Sequence, residues 1–151
     1  MVAQSLTKLL IHVIFSTKKR ISWLDDEISL ELYSYISKIL ENHNCDTLRI
    51  GGTENHIHIL CVMAKNLSIG KIVEEIKTSS SKWIKTKNSK YKKFYWQYGY
   101  GAFSISSSHT DIVCDYISNQ KQHHKIITFD DEFRRLLQKY DINFDEKHLS
   151  D

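Results

Sequence analysis

The chain contains no proline, five glycines and three cysteines in 151 residues. No proline-rich spacer, repeat, low-complexity tract or linker divides it, so a single domain over residues 1–151 is expected, large enough to bury its own core. Cys45, Cys61 and Cys114 are odd in number and lack Cys-x-x-Cys spacing. That argues against a disulfide framework or a cysteine-built zinc site and fits buried, reduced thiols in a cytoplasmic protein. Long apolar runs are missing too. Leu9 to Phe15 is interrupted by His12 and precedes its positive charges, the wrong order for a signal peptide and too short for a membrane span. Asn66-Leu67-Ser68 has the form of a glycosylation sequon, which means little without secretion. No charge sign dominates: the formal net charge of +3 is too mild to name a partner.

The distribution of charge says more than its sum. Lys18-Lys19-Arg20 form one basic cluster, and Lys82, Lys85, Lys87, Lys90, Lys92 and Lys93 crowd a second region, while acids gather in 25–31 and 130–146. Such patches are usually solvated surface, and they also suit a phosphate backbone.

Hydrophobic periodicity gives the element order β-α-β-β-α-β-α with a further helix at the end. The first strand is expected over about Leu6 to Ser16, and the first helix over Asp25 to Asn44, with Ile28, Leu32, Tyr35, Ile36, Ile39 and Leu40 in one stripe. Asp46 to Ile50 and His56 to Met63 form a hairpin around Gly51-Gly52. Ser68 caps a second helix that buries Ile69, Ile72, Val73, Ile76, Trp83 and Ile84. Phe94 to Ser106 is an aromatic fourth strand bent at Gly99 and Gly101. Ser108-x-x-Asp111 and Thr128-x-x-Asp131 are capping boxes for two later helices, the last carrying Phe129, Phe133, Leu136, Leu137 and Tyr140 on one face. This is an α+β pattern of ferredoxin-like, RRM-like type: a four-stranded antiparallel sheet with helices on one face, plus two later helices. The fold by itself selects no function.

Chemistry concentrates in two places. His56-Ile57-His58 lies in a β-branched, apolar run, where side chains at i and i+2 leave the strand on the same side, about 7 Å apart at Cα. Such a pair suits a metal claw, although a strand histidine is more often packed or hydrogen-bonded. Tyr116 and Gln120 are four apart in a segment that reads as one helix from Asp111 to Lys121, so they share a face. Tyr116 also fits a core aromatic beside Ile112, Val113 and Ile117. Gln120 is harder to place in a core, whereas its amide oxygen is a neutral, hard ligand. His123 and His124, one turn further, are expected to meet solvent or phosphate, and His12 is equally compatible with packing and a nucleic-acid contact. Tyr98-Gly99-Tyr100-Gly101-Ala102-Phe103 has the look of a base-stacking strand, or simply of a glycine-relieved twisted one.

His-hydrophobic-His on a strand followed by Tyr-x-x-x-Gln on a late helix resembles the single-tyrosine HUH transposases of the IS200/IS605 group. Similar blocks run along the chain: Ile11 to Arg20, Gly51 to Leu60, Trp96 to Ser104, and Tyr116 to His124. The resemblance implies a DNA transposase that cuts and rejoins single strands at hairpin element ends. It implies Mg²⁺ or Mn²⁺ held by His56, His58 and Gln120, with Tyr116 attacking the phosphodiester to leave a 5′-phosphotyrosine. A positive field from the ion and nearby lysines is expected to favour the phenolate. It further implies a bacterial or archaeal cytoplasmic protein acting as an obligate homodimer, the tyrosine helix of one subunit completing the metal site of the other. Lys18, Lys19, Arg20, Lys82, Lys85, Lys92 and Lys93 are the expected DNA-backbone contacts. The C-terminus departs from the family: it reads Lys147-His148-Leu149-Ser150-Asp151, where many relatives carry an aromatic residue near Ser150.

Two rival readings use the same residues. A non-catalytic single-stranded nucleic-acid binder would need the sheet aromatics and the basic region but no metal. A zinc hydrolase would use His56 and His58 with a third histidine or carboxylate, and would tolerate loss of Tyr116.

Overall fold

The computed structural model describes residues 3–149, so the departure at Ser150 and Asp151 lies outside the described residues. Four strands, β1 (Leu9–Ser16), β2 (Asp46–Thr53), β3 (His56–Met63) and β4 (Gly101–Ser104), form one antiparallel sheet in the order β2-β3-β1-β4. Six α-helices accompany it among the described residues: α1 (Asp26–Asn42), α2 (Ile69–Lys87), α3 (Thr110–Ser118), α4 (Gln120–His123), α5 (Phe129–Lys139) and α6 (Glu146–Leu149). This is the ferredoxin-like arrangement expected. Asp25, Ser68 and Thr128 cap α1, α2 and α5 by accepting from the amides of Ile28, Lys71 and Asp131.

Strand β3 lies at the centre, buried along both faces, and its alternation sorts the molecule into two halves. Ile57, Ile59, Cys61 and Met63 face one way, where they meet Val13 and Phe15 of β1, Leu32, Ile36 and Leu40 of α1, and Ile72, Ile76 and Ile84 of α2. Each such side chain, fully buried, stabilises by roughly 1.5–3 kcal/mol, so most of the apolar stabilisation sits on this face. The other face carries His56, His58 and Leu60. There Leu60 packs with Cys114 and Ile117 of α3, and Ile14 and Phe103 pack with Phe129 and Leu137 of α5 and Leu149 of α6. The three cysteines are buried and free, and burial pushes the Cys61 thiol up to about 12, away from reactivity.

Several boundaries differ from the sequence reading. The β2–β3 turn is not at Gly51-Gly52. Both glycines lie within β2 and the chain reverses at Glu54-Asn55. A Cβ at Gly51 would stand 2.5 Å from the Ile117 carbonyl oxygen, and one at Gly52 would stand 2.1 Å from that of His56. The glycines are there for close backbone approach, and Gly51 is the seat on which α3 rests. Gly51→Ala is therefore expected to destabilise the fold by about 1–3 kcal/mol through overpacking and to shift α3; a thermal melt indistinguishable from wild type would remove this role.

Strand β1 starts at Leu9 rather than Leu6, and α1 ends at Asn42 rather than Asn44, whose φ of 61° is left-handed. Strand β4 is only Gly101–Ser104; before it, Gly99 at φ 82° breaks the run, leaving Trp96 as an isolated bridge to Thr17. Ser108 does not cap α3. A 3-10 turn over Ser107–His109 precedes the helix, and the Ser108 hydroxyl pairs with Ser106 and His109 instead.

Candidate metal centre

Local structure aims each group at one point. The imidazoles of His56 and His58 leave β3 on the same side, both fully buried, with ring centroids 5.1 Å apart. Seated on Gly51, α3 carries half-buried Tyr116 against His58 at 5.7 Å between rings. The helix expected from Asp111 to Lys121 breaks at Asn119, and Gln120 opens the short α4. Tyr116 and Gln120 still sit together, because the Gln120 amide nitrogen donates to the Tyr116 carbonyl at 3.3 Å. That bond turns the amide oxygen toward His56 Nε2, 3.0 Å away.

The donor set fits a cation. The Thr53 hydroxyl donates to Asn55 Oδ1 at 3.1 Å, and His56 Nδ1 then lies 2.8 Å from that oxygen and 2.9 Å from Thr53 Oγ1. With two acceptors around it, Nδ1 carries the proton. Burial, reinforced by His58, pushes the His56 pKa down to about 3, so the ring is neutral at physiological pH. His56 Nε2 is left as a bare lone pair facing the Gln120 oxygen. Two acceptors at that distance repel unless a positive ion lies between them, and neutral imidazole with an amide oxygen suits a divalent metal.

His12, which the sequence left undecided, is buried behind His58. Its Nε2 is 2.8 Å from His58 Nδ1 and the rings stack at 5.0 Å. Burial, then the neighbouring His58, lower its pKa to about 3, so it is a neutral, buried partner that orients His58.

The residue sequence reasoning missed is Glu132, on α5. It is 1% exposed, with Oε1 3.0 Å from His58 Nε2, 3.0 Å from His124 Nε2 and 3.5 Å from His56 Nε2. Its other oxygen accepts from the Tyr116 hydroxyl and is 3.4 Å from His123 Nε2. His56, His58 and Glu132 form a cluster that could hold a metal ion. Burial would raise the Glu132 carboxyl, but bonds from His124, His58 and Tyr116 outweigh it and hold the group well below the usual carboxylate range. His123 and His124 therefore turn inward to this carboxylate, which corrects their expected exposure to solvent. Burial, with the Glu132 charge beside it, pushes the Tyr116 phenol above its ordinary pKa, and its hydroxyl donates to Glu132.

A signal for Glu132 was in the sequence. It falls on the buried stripe between Phe129 and Phe133 on one side and Leu136 on the other, a charged residue on an apolar face. Its neighbours Asp130 and Asp131 disguise it as part of an acidic first turn.

The expected DNA contacts divide. Lys18 and Lys19 are exposed, but Arg20 points inward, bonding Ser16 at 2.7 Å, Asp130 at 2.8 Å and the Leu149 carbonyl at 2.6 Å, with its guanidinium over Phe129. Lys82, Lys92 and Lys93 are exposed on α2 and the turn after it, across the sheet from the metal centre; Lys85 covers Tyr95 at 4.4 Å. Phe103 of the suspected stacking strand is buried against Tyr140, while Tyr98 is 92% exposed.

The sequence profile of the family described as "Transposase IS200 like" matches residues 5–120. Among solved structures, the chain is similar to a candidate transposase from Deinococcus radiodurans R1, with 21% identity and a TM-score of 0.62 over 80% of this chain and 96% of that one. It is also similar to a REP-associated tyrosine transposase bound to a REP hairpin, with 16% identity and a TM-score of 0.61 over 84% of this chain and 76% of that one. At these identities the likeness concerns the fold. No protein of curated function matches.

Proposed function

The chain belongs to the IS200-like transposase family, and from that premise we propose that it cuts and rejoins single-stranded DNA through Tyr116. One observation carries the proposal: His56, His58, Gln120 and Tyr116 converge within a single chain, with the His56 lone pair facing the Gln120 oxygen at 3.0 Å. His56, His58 and Gln120 would hold Mg²⁺ or Mn²⁺, which supplies Lewis-acid polarisation of the scissile phosphate. Tyr116 attacks that phosphorus, forming a P–O bond to its phenolic oxygen while the 3′ oxygen leaves and takes a proton. The result is a 5′-phosphotyrosine and a free 3′-OH. A second 3′-OH reverses the step and releases the phenol, so strands are rejoined without a nucleotide cofactor.

The DNA partner is read as single-stranded, with hairpin ends, because a duplex would hold its phosphate away from a recessed site. A hairpin-bound tyrosine transposase among the structural neighbours supports this. A cytoplasmic homodimer stays part of the reading. Within one chain Gly51 seats α3 on its own β2 and Gln120 meets its own His56, which supports a site built in cis; exchange of the tyrosine helix between subunits is the alternative that a mixed heterodimer tests. Among the described residues no helix is long and apolar enough to cross a membrane.

The decisive test incubates the protein with a single-stranded oligonucleotide library and Mg²⁺ or Mn²⁺, then seeks a covalent protein–DNA band on a denaturing gel. Absence of the band with every metal and oligonucleotide would leave the non-catalytic binder as the better reading. Binding should also weaken steeply with salt as lysines displace counterions. Replacing Lys82, Lys85, Lys92 and Lys93 with Ala should lower the slope of log K against log salt by about 0.7 for each single-strand phosphate these lysines neutralise. An unchanged slope would move the phosphate-binding role to Lys18 and Lys19. Arg20 is left out of that comparison because its substitution would unfasten α5.

A further inference from the structure

We propose that Glu132 is a fourth ligand to the ion held by His56, His58 and Gln120, so that binding the metal and docking α5 are one coupled event. The proposal rests on the metal-dependent reading above and extends it to a part of the chain beyond the family match, which ends at residue 120.

Spacing is the first argument. Ligands at about 2.1 Å from a six-coordinate ion, at right angles to one another, lie about 3 Å apart. Glu132 Oε1 is 3.0 Å from His58 Nε2 and 3.5 Å from His56 Nε2, and the Gln120 oxygen is 3.0 Å from His56 Nε2. The His56, His58 and Glu132 atoms all lie within 4.8 Å of one another, and the Gln120 oxygen adjoins the His56 member of that group at a ligand-to-ligand spacing.

Charge is the second. The ion-pair partners of Glu132 among the described residues are all histidines, and no lysine or arginine forms an ion pair with it. With imidazoles as its only ion-pair partners among these residues, a carboxylate this deeply buried is stabilised by a cation beside it. A hard divalent ion supplies it.

Positioning is the third. α5 is pinned to the metal-bearing half by Phe129, whose ring lies 4.6 Å from that of His56. It is also pinned by Arg20, which ties Asp130 to Ser16 and to the Leu149 carbonyl. The helix thus presents Glu132 in a fixed orientation. One oxygen faces the imidazoles and shares the His124 proton, while the other holds the Tyr116 hydroxyl. An ion at the centre would bond β3 directly to α5, and Glu132 would set the nucleophile beside it.

The test uses the full chain without DNA. MnCl₂ is titrated calorimetrically into wild type, Glu132→Gln and His58→Ala, and amide hydrogen exchange of wild type is followed with and without MnCl₂. Glu132→Gln should bind Mn²⁺ at least about tenfold more weakly, and Mn²⁺ should slow exchange across α5. Unchanged or tighter binding by Glu132→Gln would overturn the proposal, the tighter case marking the carboxylate as a plug that competes with the ion. Should Glu132→Gln not fold, the wild-type exchange decides alone: α5 amides unaffected or hastened by Mn²⁺ overturn it. Weakening in His58→Ala without weakening in Glu132→Gln sinks this proposal only. Wild type that binds no Mn²⁺ sinks the metal-dependent reading beneath it.

Discussion

Tyr116→Phe is expected to abolish strand cleavage and leave hairpin binding unchanged, since only the nucleophilic oxygen is removed. Losing a covalent nucleophile costs on the order of 10⁶ in rate, well past detection on a gel. Packing should survive, because the ring keeps its place beside His58 and Glu132 retains His58 and His124 as partners. Cleavage and binding measured on one labelled hairpin decide the matter. Persistent cleavage that requires Zn²⁺ would transfer the chemistry to water activated at His56, His58 and Glu132, the zinc-hydrolase reading. The same variant tests the cis assignment. Mixed as a verified heterodimer with His58→Ala, it should remain silent, because each site then carries one lesion. Activity in the mixture would show that tyrosines are exchanged between subunits after all.

Metal affinity should fall in a graded series. His56→Ala and His58→Ala each remove an imidazole and should weaken Mn²⁺ by more than the roughly 10–100-fold that losing an outer partner costs. Gln120→Ala, which removes a weaker donor, should lose less and regain cleavage at high Mn²⁺. His12→Phe, which takes away only the partner of His58 Nδ1, should fall within that 10–100-fold range. Calorimetric titration reads all four. Equal affinity in wild type and His58→Ala would remove the claw from the mechanism.

The parts legible in the sequence were those governed by local periodicity. Alternation in His56 to Met63 gives both the strand and the shared direction of the two histidines, and the i,i+4 spacing of Tyr116 and Gln120 survives the break at Asn119. What misled was local chemistry overridden at long range. Gly51-Gly52 has the composition of a turn, yet both positions are fixed by backbone from His56 and from Ile117, and nothing nearby in sequence announces the latter. Arg20 sits in a basic triplet of DNA-binding appearance, while its partners Asp130 and Leu149 are more than a hundred residues away. His123 and His124 look like the polar end of a helix until Glu132 arrives from α5. The histidine-bearing strand could be found by pattern, whereas the carboxylate that closes over it depends on tertiary contact.

The asymmetry of the two sheet faces has a practical consequence for spectroscopy. Trp23, Trp83 and Trp96 all belong to the half packed under α1 and α2, with Trp96 fixed there by donating to Ser80 at 2.9 Å. The half that carries α3 to α6 is lit only by tyrosines, Tyr116 and Tyr140 among them. Indole emission will follow global unfolding and be blind to release of α5, whereas phenol absorbance near Glu132 will change. Two optical signals from the unlabelled protein thus separate loss of the fold from opening of the site.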